Sequence, residues 1–359
     1  MMITMKNPLK IVNCVFGDAS GGRWQAMINM SDALESCGHE VLIVTGSENK
    51  KLKAGDKPVV FLSNSGFYDL FSAFKASCWL RKVKPDVIIA HSGRAVCLFK
   101  NAMFFNNLNI PVIAVNHSHN VKRTIRADGF IHITPHVAQC VKTASHKKRI
   151  DLSNKPQAVI SNLVHLPVEV PIFRPMGTPV VLGMMTRLVE YKGTHLAISA
   201  VHQLKQKGVI VQLLIAGEGE QKDALIQQVK DLDLKNEVEF LGWIGGDDKS
   251  EFYQTTDIAI VPTMNDTQPL AILDAFAWGK VVVASDHISV QQIIRHGENG
   301  LMAKCGDAHA LAQQIEDLIT NPIKALMFSK KAYQEAVQNY QFSQISKQLD
   351  NFLNGLSKL

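Results

Sequence analysis

Two cations in the second half of the chain have residue types and spacing suited to binding a phosphate group. Arg187 and Lys192 lie five residues apart in the segment RLVEYKG, shortly after an apolar run of strand length. A guanidinium can bind phosphate oxygens through two parallel hydrogen bonds, and an ammonium adds a second positive charge, so the pair suits a diphosphate. Taken alone, the pair also fits ordinary surface charge.

The second part of this candidate site is the segment 262–285, PTMNDTQPLAILDAFAWGKVVVAS. It predicts a strand end, a polar loop with Asp266, a helix that opens near residues 267–269, and a further strand. A helix N-terminus favours an anion through its free N–H groups and its dipole. Asp274 could accept hydrogen bonds from hydroxyl groups. Without this context, Asp266 would be a helix cap and Asp274 an ordinary helix carboxylate.

Glycine-rich turns are weaker candidates. Residues 17–22 (GDASGG) lie between an apolar run and a helical pattern, so Gly21 and Gly22 could let backbone N–H groups approach an anion. A tight strand-to-helix turn is the competing interpretation, because the segment is neither GxGxxG nor a Walker loop. Gly217 and Gly219 also follow a strand pattern but lack the third small residue of a dinucleotide fingerprint, which argues against a redox enzyme.

These residues depend on an alternation of strands and helices along the whole chain. Apolar runs rich in Val, Ile and Leu are typical of strands buried on both faces of a parallel sheet. The fold class is therefore α/β, with one doubly wound, Rossmann-like sheet in each half. The predicted strands are residues 9–16, 41–45, 59–62, 87–90, 111–115, 129–134, 158–161, 180–184, 209–216, 238–241, 258–261 and 281–284, and the predicted helices of the second half are residues 194–207, 220–233 and 268–278.

Four prolines and one glycine in residues 166–179 predict a linker between the two halves. We therefore expect an N-terminal domain at 1–165, a second domain at 180–335, and a helical tail at 336–359 that crosses back to the first domain. Since α/β sheets bind ligands outside the carboxyl ends of their strands, two such domains are expected to face each other across a ligand-binding cleft.

Composition narrows the class of protein. The 359 residues are 46% hydrophobic and 19% charged, as in a globular protein. Six scattered cysteines without a Cys-x-x-Cys pair are typical of reduced thiols in the cytosol and argue against a disulfide framework or zinc site. No run approaches the ~20 apolar residues of a membrane span, and the N-terminus lacks a secretory signal pattern. We expect a cytoplasmic protein that could bind the inner face of the membrane peripherally.

The net charge of +6 is unevenly distributed, since residues 1–165 carry +11 and the remainder −5. A basic first half suits an anionic partner, although a solvated basic face is an alternative. Residues 67–84 and 98–105 mix aromatic and basic side chains, and residues 146–149 are His-Lys-Lys-Arg, so an anionic membrane surface is a candidate partner. The same helices could simply pack on the sheet. No nucleic-acid-binding module is recognisable, so no nucleic acid is expected.

The motifs together resemble the large retaining glycosyltransferase family with the GT-B fold, which includes sucrose synthase and bacterial mannosyl- and glucosyltransferases of envelope polysaccharide assembly. The family's R-L-V-x-x-K-G motif, its E-x7-E segment, its D/N-G-x-x-G-L turn, its V-I-P-N segment and its N-terminal Gly-Gly all have counterparts in the right order over nearly the whole chain. The matched segments are residues 187–193, 262–284, 297–301, 160–162 and 21–22.

The resemblance implies a nucleotide-diphosphate-sugar donor, with no metal or other cofactor. It implies that Arg187 and Lys192 neutralise the leaving diphosphate and that Asp274 binds the ribose hydroxyls. Asp266 and the amides of the following loop would face the donor sugar and its phosphates. The loop residues concerned are Thr267, Gln268 and Leu270.

A histidine in the first half completes the implied site. His117 stands where the family has a histidine close to the donor sugar, and Gly21 and Gly22 would approach the donor. His119 is a rival for the same role, and a core histidine is the alternative interpretation of His117. The implied catalytic residues are therefore His117, Asp266, Arg187 and Lys192.

Two departures from the family pattern weaken the sugar pocket more than the nucleotide site. Both family glutamates are aspartates here, each one methylene shorter, so direct contacts could lengthen or pass through water. The family's Gly-Phe-Gly is replaced by Thr267, Gln268 and Pro269. Because Pro269 has no N–H, one contact to the donor is lost.

The expected function is retaining transfer of a sugar to a saccharide or lipid-linked saccharide acceptor, in cell-envelope polysaccharide or lipopolysaccharide synthesis. A non-catalytic nucleotide-sugar-binding protein, a nucleotide-sugar epimerase and a phosphorylase are the alternatives. Asp231 and Asp233 fit the Asp-x-Asp pattern of metal-dependent transferases, but they close a predicted helix instead of following a strand. No metal site is therefore expected.

Overall fold

The computed structural model of the chain describes residues 8–17, 19, 21–52 and 54–356. These residues form two compact units. Unit 1 comprises Met1–Leu163 together with Phe342–Leu359, and unit 2 comprises Val164–Gln341. Residues 166–179, which the sequence predicts as a linker, contain neither helix nor strand and belong to unit 2.

Unit 1 is built on a seven-stranded parallel sheet with the strand order β3-β2-β1-β4-β5-β6-β7. Successive strands add outward in one direction from β1 and in the other from β4, so the topological switch point lies between β1 and β4. The strands are β1 Lys10–Val15, β2 Glu40–Gly46, β3 Val59–Leu62, β4 Val87–Ala90, β5 Val112–Asn116, β6 Gly129–His132 and β7 Gln157–Val159.

Four helices connect the strands of unit 1 in the order of the chain. They are α1 Gly22–Ser36, α2 Leu70–Val83, α3 Gly93–Phe105 and α4 Pro135–Lys148. Asp69, Ser92 and Thr134 each accept a hydrogen bond from a backbone N–H of the first turn of α2, α3 and α4. These side chains satisfy N–H groups that have no partner within the helix, and so they fix where each helix begins.

Unit 2 repeats the same plan with a six-stranded parallel sheet of order β10-β9-β8-β11-β12-β13. Its switch point lies between β8 and β11. The strands are β8 Val180–Met185, β9 Val211–Ala216, β10 Val238–Gly242, β11 Ile258–Val261, β12 Val281–Ser285 and β13 Leu301–Ala303. The helices are α5 Thr194–Gln206, α6 Lys222–Asp231, α7 Asp247–Thr255, α8 Leu270–Ala277, α9 Ala308–Thr320 and α10 Pro322–Glu335, the last continued by a π turn at Ala336–Tyr340.

The C-terminal helix α11, Phe342–Leu356, belongs to unit 1, whereas residues 336–341, which the sequence assigns to the same tail, belong to unit 2. It packs against α1 and buries Ile345, Leu349 and Leu353 in the core beneath the sheet, together with Ile11 and Leu34. Both units therefore have apolar helices on both faces of a parallel sheet, which confirms the α/β class.

Each strand predicted from the sequence is present, with ends shifted by at most two residues. The continuous Val- and Ile-rich runs made these strands recognisable. Strand β13 was not predicted, because its three residues are too few to show a period. No helix in the described part of the chain is both long and apolar enough to cross a membrane.

Candidate active site

Two loops of unit 2 meet at the carboxyl ends of the neighbouring strands β8 and β11. The Met264 N–H donates to the Tyr191 carbonyl at 2.7 Å, which joins the loop after β11 to the loop after β8. Gly193 has φ +73°, and a Cβ built there would lie 2.2 Å from the Pro262 carbonyl oxygen. The two loops therefore touch through backbone, and glycine is needed at the contact.

The contact brings together Lys192 and Asp266, two of the residues singled out by the sequence. Their side chains form an ion pair and are 19% and 18% exposed. Asp266 also accepts, through Oδ1, the Thr267 N–H at 2.8 Å. Asp266 is therefore not the cap of helix α8. That position is held by Pro269, and no side chain caps the helix.

Arg187 lies in the same loop as Lys192 and is exposed. Its Nη2 donates to the Tyr191 hydroxyl at 2.7 Å, and the Lys192 ammonium lies 5.7 Å from the centre of the Tyr191 ring. Tyr191 thus lies between the two cations. Tyr191 was not predicted as a site residue, because it occupies a variable position of the motif.

Helix α8 begins directly after the loop that follows β11 and carries Asp266. Leu270 begins the helix, and Thr267 and Gln268 are buried just before it. The Thr267 N–H, predicted to contact the donor, donates to Asp266 in this structure. The helix dipole and the uncapped first turn give this region a partial positive charge.

Asp274 lies in the second turn of α8 and pairs with Lys249 of α7 at 2.8 Å. Burial, and to a smaller degree the charge of Asp274, raise the pKa of the Tyr253 hydroxyl well above its usual value. Lys249 was not predicted as a site residue, because the DDKSE segment around it is typical of a solvated helix start. Asp274 is therefore bound to a cation of α7, whereas Asp266 is bound to Lys192.

The segment Gly217-Glu218-Gly219 supports the loop that carries Arg187. Gly217 has φ +141°, and a Cβ there would lie 1.8 Å from the Thr186 carbonyl oxygen. A Cβ at Gly219 would lie 2.3 Å from the Leu188 carbonyl oxygen, and the Leu188 N–H donates to the Glu218 carbonyl at 2.9 Å. These glycines allow two backbones to pack together, which explains why they resemble a dinucleotide motif without completing it.

In unit 1, His117 directly follows β5 and is partly buried. Its Nε2 lies 2.7 Å from Nδ1 of His91, which follows β4. Burial, with a smaller contribution from the positive charge of Arg23, lowers the pKa of His117 to about 3. The rival residue His119 packs its ring edge-on against His136. His91 was not predicted, since nothing local in the sequence links it to His117.

The glycine-rich turn of unit 1 is described in part. Gly21 has φ +82° and precedes the first residue of α1, Gly22. Asp18 and Ser20 lie outside the described residues. The predicted contact of Gly21 and Gly22 with a donor stays a prediction.

Within residues 8–17, 19, 21–52 and 54–356, no group of three or more His, Cys, Asp or Glu side chains could hold a metal ion. Asp231 is the last residue of α6 and accepts from Gln227 at 2.8 Å, and Asp233 lies just beyond the helix. The Asp-x-Asp pattern therefore closes a helix, as the sequence predicts.

Comparison with known proteins matches both halves of the chain to glycosyltransferase families. Residues 171–335 match the family described as glycosyl transferases group 1, and residues 20–166 match Glycosyltransferase Family 4. The lipopolysaccharide core biosynthesis glycosyltransferase LpsE of Rhizobium meliloti is 30% identical over 268 residues, which cover 72% of this chain and 73% of LpsE. The chain belongs to the group 1 glycosyl transferases.

Solved structures show that this glycosyltransferase has the GT-B fold. Anabaena HepE in complex with UDP and glucose matches with a TM-score of 0.76 and 20% identity, over 97% of this chain and 100% of HepE. Sucrose-phosphate synthase from Thermosynechococcus elongatus matches with a TM-score of 0.80 and 16% identity, over 97% and 99% of the two chains. The fold expected from the sequence motifs is confirmed.

Replacement of Gly193 by alanine should destabilise this glycosyltransferase more than replacement of Gly208. The two glycines have nearly the same φ, +73° and +78°, so the left-handed backbone costs about 1–2 kcal/mol at either site. A Cβ at 193 also overlaps the Pro262 carbonyl, whereas one at 208 meets nothing within 4 Å. Urea unfolding followed by circular dichroism measures both variants. Equal losses for Gly193→Ala and Gly208→Ala would show that the loop contact contributes nothing.

Proposed function

We propose that this chain transfers a sugar from a nucleotide-diphosphate donor to a saccharide or lipid-linked saccharide acceptor, with retention of configuration. The observation that carries the proposal is the Lys192–Asp266 pair, which lies beside the uncapped N-terminus of α8 in the loop system that also holds Arg187. Similarity to LpsE, and to HepE bound to UDP and glucose, supports this class of reaction. By the same similarity, the product is a cell-envelope polysaccharide or lipopolysaccharide.

Charge stabilisation is the main task of these residues. As the bond between the sugar C1 and the phosphate oxygen breaks, the electron pair stays on the diphosphate, and its negative charge grows. Arg187, Lys192 and the α8 dipole would stabilise that charge without a metal ion. The acceptor hydroxyl would bond to C1 on the face that the phosphate leaves, and its proton would pass to the departing phosphate oxygen.

The two carboxylates would position the donor through hydrogen bonds to its hydroxyl groups. Asp266 keeps Lys192 in place and would accept a hydrogen bond from a sugar hydroxyl, while Asp274, fixed by Lys249, would bind the ribose hydroxyls. Both are aspartates in an E-x7-E pattern, so these contacts begin one methylene further from the ligand than in the family. His117 would contact the donor sugar.

Loss of the Lys192 charge should lower donor turnover in the presence of EDTA. Purified protein is incubated with UDP-, GDP- or ADP-sugars, and slow release of nucleotide is measured. We expect Lys192→Met to lower kcat/KM for release by roughly a hundredfold, the usual effect of removing one group that stabilises developing charge. The control is Lys207→Met, since Lys207 also pairs with a carboxylate of unit 2, Glu316, and should leave turnover unchanged.

Because Lys192→Met leaves the carboxylate of Asp266 without its cation, the double variant Lys192→Met/Asp266→Asn separates charge loss from destabilisation. Binding of a donor without any release of nucleotide would favour the non-catalytic alternative. Activity that disappears in EDTA and returns only with Mg²⁺ or Mn²⁺ would refute metal-free transfer.

We also propose that unit 1 binds an anionic membrane surface, which would place a cytoplasmic enzyme beside a lipid-linked acceptor. Helix α2 buries Ala73, Ala76 and Leu80 on one side. Large apolar side chains from its other side, from the preceding loop and from the end of α3 are exposed to solvent. They are Tyr68, Leu70, Phe71, Phe74, Phe104 and Phe105.

Basic side chains lie among these aromatic residues. The Lys75 ammonium is 4.2 Å from the centre of the Phe71 ring, and Arg123 stacks 5.1 Å from the Tyr68 ring. The rings of Phe74 and Phe105 meet edge to face at 5.7 Å, which joins α2 to α3. Exposed aromatic rings with adjacent cations suit the interface of an anionic bilayer.

Removal of two of these rings should release the protein from vesicles. Phe71 and Phe104 are 69% and 83% exposed, so Phe71→Ser/Phe104→Ser should leave the fold intact and weaken binding by at least about tenfold per ring, given about 1.5–3 kcal/mol for burying each one. Sedimentation with phosphatidylglycerol vesicles at physiological salt is the measurement. Phe61→Ser, which removes an exposed ring on β3, is the control. The proposal is wrong if the wild-type protein does not pellet, or if it pellets equally with phosphatidylcholine.

A further inference from the structure

Three polar side chains from neighbouring strands of unit 1 form a continuous hydrogen-bonded chain. Asn13 lies on β1, His91 follows β4, and His117 follows β5. Asn13 Oδ1 lies 2.8 Å from His91 Nε2, and His91 Nδ1 lies 2.7 Å from His117 Nε2. The chain therefore crosses the switch point of the sheet and ends at the histidine that the proposed function places near the sugar.

The amide of Asn13 is oriented by helix α1. Its Nδ2 donates to the Met27 carbonyl at 3.0 Å and to the Ser31 hydroxyl oxygen at 2.9 Å, and the Ser31 hydroxyl donates to the same carbonyl at 3.1 Å. A carbonyl oxygen can only accept, so the NH₂ group of Asn13 must face α1. Its Oδ1 must then face His91.

This orientation fixes the position of each proton along the chain. Because Asn13 Oδ1 can only accept, His91 Nε2 carries a proton, and in the neutral ring His91 Nδ1 is an acceptor. His117 Nε2 must then carry the proton of the 2.7 Å bond, which leaves a lone pair on His117 Nδ1. The carbonyl of Met27 thus determines the tautomer of His117, three hydrogen bonds away.

The surroundings keep both rings neutral. Burial is the main cause that lowers the pKa of His91 well below its usual value and that of His117 to about 3. The positive charge of Arg23 on α1 lowers both pKa values further, and His117 also lowers the pKa of His91. His119, the other histidine of the loop, packs against His136 of α4.

We propose that Asn13 and His91 are positioning residues that hold His117 in its Nε2–H tautomer, so that His117 Nδ1 accepts a hydrogen bond from a substrate hydroxyl. This inference rests on the proposed function for the identity of the substrate as a sugar. The hydroxyl belongs either to the donor sugar or to the acceptor, and in both cases His117 recognises an O–H donor and carries no charge.

The tautomer can be measured without any substrate. Long-range ¹H–¹⁵N spectra of protein labelled at the histidine ring nitrogens distinguish protonated from unprotonated nitrogen, and His117→Gln identifies the signals. We expect His117 to show a protonated Nε2 and an unprotonated Nδ1, unchanged between about pH 5 and 8. A protonated Nδ1, or titration near the ordinary histidine pKa of about 6.5, would overturn the inference.

Replacing Asn13 by aspartate should reverse the direction in which the hydrogen bond between His91 and His117 is donated. A carboxylate beside His91 favours the protonated imidazole, whose Nδ1–H would then donate to His117 Nε2 and leave the proton of His117 on Nδ1. In Asn13→Asp we therefore expect the His117 signals to exchange character and kcat to fall about tenfold or more, with a smaller change in KM. An unchanged tautomer in Asn13→Asp would contradict the proposed direction of control.

The tautomer of His117 in His91→Phe separates positioning from a structural role. Burial and Arg23 still keep the His117 ring neutral in this variant, but the Nε2–H tautomer loses its acceptor, His91 Nδ1. Part of the molecules should therefore show a protonated His117 Nδ1, and kcat should fall with a smaller change in KM. His39→Phe is the matched control. His39 is also a buried histidine of unit 1, bonded to the Leu9 N–H and to Asp350, so its loss should lower stability and leave the His117 signals unchanged.

The outcomes keep the two proposals apart. A protein in which His117 has the expected tautomer but which shows no activity on any donor would refute the proposed function and leave the assignment of Asn13 and His91 intact. An active enzyme in which both His91→Phe and His39→Phe keep the wild-type tautomer of His117 would refute that assignment and leave the proposed function intact.

Discussion

The Lys192–Asp266 ion pair depends on two loops whose backbones approach more closely than side chains would allow. At Gly193 the loop after β8 lies against Pro262, and at Gly217 the loop after β9 lies against Thr186. These contacts pack together the loops that follow three neighbouring strands of unit 2, β9, β8 and β11. The charged groups are then held by backbone packing at the switch point of the sheet, where α/β proteins bind ligands.

The two units supply different electrostatics. In unit 2 the candidate residues are partly exposed or exposed ions, and Lys192 pairs with Asp266 while Asp274 pairs with Lys249. The proposed function has an arriving anion replace Asp266 as the partner of Lys192. In unit 1 the hydrogen-bonded histidines are neutral, with His91 buried and His117 partly buried, and the direction of their hydrogen bonds is fixed by a backbone carbonyl of α1. A charged site suits a diphosphate, whereas a neutral acceptor suits a hydroxyl group.

The sequence predicted the strands and the motif residues because each depends on a local pattern. Continuous Val and Ile runs marked the sheets, and RLVEYKG marked Arg187 and Lys192. Partners that come from distant parts of the chain were not predicted, since only the fold brings Lys249 to Asp274 and His91 to His117. The sequence also left open that Asp266 caps a helix. The structure excludes this, because Asp266 accepts the adjacent Thr267 N–H and α8 begins only after Pro269.

The most direct test of the account compares a nucleoside diphosphate with its monophosphate by isothermal titration calorimetry in EDTA. If Arg187, Lys192 and the start of α8 hold a pyrophosphate, the diphosphate that binds best among UDP, GDP and ADP should bind at least about tenfold more tightly than its monophosphate, a difference of about 1.4 kcal/mol. Equal affinities, or binding of the diphosphate only after Mg²⁺ is added, would contradict the account.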